Sequence, residues 1–200
     1  MASTPENPGS PNEDVYSQKF QHPSLSARVP ERIARGVFST GVIVQDGPDE
    51  FCIDFLQAMA QPRQVGARVV LSPNVFNQFI AVLRDNLAKY EQSFGPPPVL
   101  PRPNLQRRPT IQEIYDELKL SDDLLSGVYA NAVMVGHSPS DFHLDFITRF
   151  YPTAAVGCRI YMAAPQIPRL IETLTSAWAQ FERRRAEQRR PQEPPPTDPQ

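Results

Sequence analysis

Two carboxylates and two arginines recur in this chain at one fixed interval. Asp54 precedes Arg68 by fourteen residues, and Asp145 precedes Arg159 by the same distance. The residues around them alternate. Phe51, Ile53 and Phe55 fall on one side of a two-residue period, with Cys52, Asp54 and Leu56 on the other. Arg68 likewise falls opposite Ala67, Val69 and Leu71. If these segments pair as neighbouring strands, acid and guanidinium meet on the non-core face. An arginine held this way could be presented to a phosphate or a partner. The plainer chemistry, which we prefer, is a structural cross-strand ion pair, of a kind that contributes little when exposed.

Phe38, Tyr129 and Tyr161 fall near these arginines. Aromatic rings beside arginines on a sheet can stack and hold single-stranded nucleic acid. The competing expectation is burial between packed elements, where aromatic side chains contribute most. Arg183, Arg184, Arg185, Arg189 and Arg190 follow the last apolar run. They suit contact with nucleic acid or an acidic partner, or an ordinary helix end whose dipole they offset. His137 and His143 flank a turn near Asp141 and Asp145. They have no third ligand at a suitable spacing, so no metal is expected. Cys52 and Cys158 have no base partner, and Ser39 and Ser138 lie in no nucleophile elbow. With no phosphate-binding glycine loop either, the chain reads as a non-enzyme without cofactors.

These residues need elements to position them, and the elements come as a repeat. Shifted by 91 residues, Gly36 falls on Gly127 and the chain matches itself without a gap over 56 positions. Fifteen are identical, among them Gly36, Val37, Pro48, Phe51, Asp54, Phe55, Gly66, Arg68 and Leu83. Chance would give about three or four at typical residue frequencies. Each copy opens with a strand-forming run, VFSTGVIV (37–44) or VYANAVMV (128–135). A turn follows, QDGPDE or GHSPSD, then an alternating strand, a glycine loop and a third strand, ARVVLS (67–72) or CRIYMA (158–163).

A helix closes each copy. Ser72 suits an N-cap, Pro73 the first turn, and Gly95 and Pro96 the stop. Val75, Phe76, Phe79, Ile80, Leu83, Leu87 and Tyr90 form one apolar stripe. Ile167, Leu170, Ile171, Leu174, Trp178 and Phe181 form the other, after Pro165. Between the copies, Thr110 and Glu113 have capping-box spacing, and Ile111, Ile114, Tyr115 and Leu118 make one face of a short helix.

Proline, at 23 residues, is about twice its usual share of roughly 5%. It concentrates in Met1–Pro30, in Pro96–Pro109 (with Arg102, Arg107 and Arg108) and after Pro191. Such segments bury too little apolar surface to offset chain entropy. The expected organisation is a disordered tail at 1–30, a first repeat at 31–95, a linker at 96–109, a short helix at 110–120, a second repeat at 121–186 and a tail at 187–200. The expected fold is α+β, two β-β-β-α repeats packed as a pseudo-two-fold domain, since about 60 residues alone are marginally stable. The net charge of −2 supplies no global field for nucleic acid. No charged segment leads into an apolar run at the N-terminus, and no apolar stretch reaches membrane length. A soluble cytoplasmic protein is expected.

The second copy's GVYANAVMVGHSPSDFHLDFI resembles the front half of a bacterial family, "domain of unknown function 3467". The first copy's ARVVLSPNVFNQFIAVLRDNLAKYEQSFG is similar to its back half. The resemblance covers both repeats and implies a tandem duplication of a unit that usually occurs singly and has no established activity. The first copy departs from it with QDGPDE at the His-Ser-Pro turn, and the second with MAAPQ at the helix start. A weaker likeness, in element order, is to the PUR repeat of single-stranded nucleic-acid-binding proteins. That likeness bears on fold more than on function.

The expected function is therefore non-enzymatic binding. The first candidate is single-stranded DNA or RNA on the sheet face, through Arg68, Arg159, Phe38, Tyr129 and Tyr161 with Arg183, Arg184 and Arg185. The alternative is a protein-interaction or assembly module using helix stripes or sheet edges. Arg68, Arg159, Phe38 and Tyr129 on one open face would favour the first.

Overall fold

The computed structural model describes residues 27–101, 107, 110–150 and 152–188. Arg102, Arg108, Arg189, Arg190 and most of both expected tails lie outside the described residues. The first repeat holds α1 (Glu31–Ala34), β1 (Val37–Ser39), β2 (Gly41–Asp46), β3 (Phe51–Gln57), β4 (Gln64–Leu71) and α2 (Pro73–Phe94). Then come α3 (Ile111–Asp116), a 3-10 turn at Asp122–Leu124, β5 (Val128–Ala130), β6 (Ala132–His137), β7 (Asp141–Thr148), β8 (Ala155–Ala163) and α4 (Ile167–Gln188). The result is a mixed α+β domain of two sheet-plus-helix repeat units.

Each repeat has four strands where the sequence suggests three. The run VFSTGVIV is not one strand, because the chain leaves one sheet at Ser39 and enters the other at Gly41. One sheet runs β1-β8-β7-β6 and the other β2-β3-β4-β5. The short first strand of each repeat thus joins the other repeat's sheet. β1 pairs in parallel with β8, with Val37 opposite Ile160, and β5 pairs in parallel with β4, with Val128 opposite Val69. The segments just upstream cross over too. Arg28 bridges to Ala155, and Lys119, 91 residues on, bridges to Gln64. Residues 27–30, assigned to the tail from sequence, therefore pack on the second repeat, with Ala27 and Val29 against Ile147 and Val156.

The core is common to both repeats. Phe51, Ile53, Phe55, Val69 and Leu71 from one sheet and Phe142, Leu144, Phe146, Ile160 and Met162 from the other bury against α2 and α4. The helix stripes behave as their spacing predicts. Val75, Phe76, Phe79, Ile80, Leu83 and Tyr90 are buried on α2, and Ile167, Leu170, Leu174 and Phe181 on α4. Helix ends reach across the repeats. Phe51 meets Phe181 at 5.0 Å, and the equivalent Phe142 meets Tyr90 at 5.3 Å. Phe55 and Phe146, equivalent to one another, meet at 5.5 Å. Each such buried side chain is worth about 1.5–3 kcal/mol of transfer free energy.

Local signals have mixed outcomes. The Thr110–Glu113 capping box forms in both directions. Gly95, with φ 80°, ends α2. Ser72 occupies the N-cap of α2 without a side-chain cap bond, and Ile111 is exposed rather than part of a buried face. No helix among the described residues is long and apolar enough to cross a membrane.

Candidate functional site

Antiparallel pairing of β3 with β4 sets Asp54 directly across from Arg68, and β7 with β8 sets Asp145 across from Arg159. Both pairs form on the non-core face, as the alternation requires. Arg68 Nε donates to Asp54 Oδ1 at 2.7 Å and its Nη2 to Oδ2 at 2.8 Å. Arg159 makes the same two bonds to Asp145, each at 2.7 Å. The carboxylates are fully covered, at 1% and 0% exposure, whereas the arginine side chains are half-buried, at 14% and 19%. The hydrogen bond to its carboxylate raises the pKa of each arginine above the usual value. Two-pronged bonding to a buried acid leaves little of either charge for a ligand.

Tyr115, from α3, completes the first pair. Its Oη donates to Asp54 Oδ2 and accepts from Gln45 Nε2 at 2.6 Å. Burial and, next, the hydrogen bond to Asp54 push its phenol upward. Arg68 Nη1 also donates to the carbonyl of Leu125 at 3.1 Å, tying the segment before β5 to β4.

A cleft of about 200 Å³ opens between the repeats. Arg32, Ile33, Gly36, Val37, Gly66, Ala67 and Arg68 line it from one repeat. Asp123, Leu124, Gly127, Val128, Gly157, Cys158 and Arg159 line it from the other, each 91 residues on. Its shape depends on two left-handed glycines. A Cβ on Gly36 (φ +63°) would sit 2.5 Å from Tyr161 Cε2, and one on Gly127 (φ +66°) 2.9 Å from Arg68 Cγ. The Cys158 thiol on its wall is pushed up to about 12, by burial first and the Asp145 charge second. Cys52 is also raised, by burial and then by Asp54.

The aromatic candidates divide between the sheets. Phe38 lies across from Tyr161 in the sheet of Arg159, whereas Tyr129 lies across from Val70 in the sheet of Arg68. Phe38 and Tyr129 are therefore on different sheets, whereas Arg68 and Arg159 line the same cleft. Tyr129 is 49% exposed and stands parallel to Phe150, 58% exposed, with centroids 6.5 Å apart and planes 7° from parallel. Phe38 and Met59, at the equivalent positions, are also exposed. Arg183, Arg184 and Arg185 lie on the exposed end of α4, where Arg184 pairs with Asp46. His137 packs among Tyr90, Phe94 and Phe142, with no hydrogen-bond partner for Nδ1 among the described residues. No group of three or more His, Cys, Asp or Glu among the described residues could hold a metal ion.

Sequence reasoning missed Tyr115 as a partner of Asp54 and Phe150 as a partner of Tyr129. The first stood in an amphipathic helix whose docking place was unknown. The second stood in a loop with no periodic signal.

Two interleaved repeats, each with a carboxylate-held arginine, define a duplicated α+β unit. The chain belongs to the family described as "Protein of unknown function (DUF3467)", whose model matches it twice, over residues 3–100 and 101–187. The second match begins at residue 101, so it takes in α3 and the upstream segment that crosses to the other sheet. No curated protein matches the chain.

Proposed function

We propose that this chain is a non-enzymatic protein-interaction or assembly module, built as a covalent pseudo-two-fold pair of interleaved repeats. One observation carries the reading: Arg68 and Arg159 are each consumed by a buried carboxylate. Nucleic-acid affinity comes largely from cations free to displace counterions, and these two are not free. Large apolar side chains are exposed near where β1 and β5 change sheets: Phe38 and Met59 in the first repeat, Tyr129 and Phe150 in the second. Aromatic and methionine side chains of this kind are enriched at protein interfaces. The pseudo-two-fold arrangement is supported by the contacts that recur at the 91-residue offset and by the touching of Phe55 with Phe146.

A specific observation favours a second reading. The rings of Tyr129 and Phe150 are parallel and exposed, and Arg149 precedes Phe150 in sequence, a set suited to stacking an unpaired base. One experiment separates the two. A photo-crosslinking residue placed at Tyr129, and separately at Phe38, should yield discrete protein adducts in cells. Labelled single-stranded DNA or RNA should show no salt-sensitive anisotropy change. Crosslinks to nucleic acid alone, with micromolar salt-sensitive binding lost in Phe150→Ser, would replace the protein reading with the second.

A further inference from the structure

We infer that the surface joining the two repeats is specific for unlike halves, so that each repeat takes the other and not a copy of itself. The inference rests on the paired-repeat reading above. Three separate contact zones point the same way.

The first is the helix-end corner. Asp46, in the turn of the first repeat, pairs with Arg184 near the end of α4. The equivalent of Arg184 is Ser93, and the equivalent of Asp46 is His137. Two first repeats would set Asp46 against Ser93 and lose the ion pair at both corners. Two second repeats would set Arg184 against His137, a donor against a ring whose neighbours are aromatic.

The second zone is the crossing of the long helices. Arg84 Nη2 donates to Thr175 Oγ1 at 2.8 Å, and these two positions are equivalent. A pair of like repeats would bring two Arg84 guanidiniums together, or two Thr175 hydroxyls. Like charges at close range are repulsive.

The third zone is the cleft rim. Arg32 and Asp123 are equivalent and opposite in charge, and both line the same cleft. Like pairing would place two Arg32 or two Asp123 side chains there. In all three zones the unlike pair is complementary, and at least one like pair is deprived or repulsive. Specificity of this form is a difference between alternatives, built as much by penalties on the wrong pair as by contacts in the right one.

The test uses the full chain with a protease site inserted between Pro101 and Thr110. After cleavage, isotopically labelled and unlabelled samples are unfolded together, refolded and weighed by native mass spectrometry. Unlike pairs should outnumber like pairs at least tenfold. Halves that separate on cleavage would overturn the paired-repeat reading itself. Halves that stay paired but redistribute statistically would overturn only the specificity. Arg184→Asp should raise the proportion of second-repeat pairs, since the introduced carboxylate would suit His137 and be repelled by Asp46. Asp46→Arg combined with Arg184→Asp should restore unlike pairing. An unchanged distribution in the single variant would remove the corner from the argument.

Discussion

The outer face of the β2-β3-β4-β5 sheet and that of the β1-β8-β7-β6 sheet carry the same buried acid–arginine pair, with the same two hydrogen bonds. They differ in what surrounds it. On the first, Tyr115 arrives from α3, a separate element, and its hydroxyl bonds to Asp54. On the second, Tyr161 stands two residues from Arg159 on the same strand, and the side-chain bonds to Asp145 come from Arg159 alone among the described residues. The position equivalent to Tyr161 on the first face is Val70. The acid–arginine pair is thus common to both faces, and the phenol bond to the acid belongs to the first. A buried carboxylate demands a cation at a fixed distance.

The largest expected effect comes from breaking the pairs. Arg68→Met and Arg159→Met each leave a fully buried carboxylate without its cation, which costs about 3 kcal/mol. Arg68→Met should cost more, by about 1 kcal/mol, because the bond to Leu125 is lost as well. Urea denaturation of the two variants measures this. Equal costs would mean that the Tyr115 bond remaining on Asp54 offsets the lost Leu125 bond.

Next in size is Tyr115→Phe, expected to cost about 1.5 kcal/mol because its acceptor is charged. Tyr161→Phe should cost less than about 0.5 kcal/mol, having no bonded carboxylate of its own. A reversed order would show the second face to be the more dependent on its phenol.

Alkali should sharpen the contrast. Cys158, pushed up to about 12, keeps its proton when folded but loses it near 9 when unfolded. Its contribution is whole below pH 9 and is lost as pH rises toward 12, by at most ~1.4 kcal/mol per pH unit. Tyr115, also raised, adds a further decline that begins near its ordinary value of 10. Cys158→Ala should flatten the decline from pH 9 upward, and Tyr115→Phe only its later part, both read from denaturation midpoints against pH.

The smallest effect is at the cap of α3. Thr110→Ala should cost about 0.5 kcal/mol and appear as faster amide exchange within Ile111–Asp116. Glu113, held down at about 2 first by Arg107 and then by the Thr110 backbone, should keep the box closed above its ordinary range and release it only as pH falls through about 2.

Much of this was legible in the residues themselves. The 91-residue repeat, the alternation of Phe51, Ile53 and Phe55, and the stripes of α2 and α4 follow from periods that burial imposes on strands and helices. The same alternation placed Asp54 and Arg68 on one face, and strand pairing then brought them together. What could not be read was where the chain changes sheet. VFSTGVIV is interrupted only by Gly41 and VYANAVMV only by Asn131, a signal that fits a bulge within one eight-residue strand as well as two short strands divided at Thr40.

The amino-acid order alone thus determined the repeated unit and the face on which each acid and arginine stands, because side-chain period is a local matter. Only the tertiary structure decided that each repeat lends its first strand to the other, that Tyr115 reaches Asp54, and that Phe38 and Tyr129 stand on different sheets. Those outcomes depend on which non-local surfaces bury together, and such surfaces exist only once both halves have folded against each other.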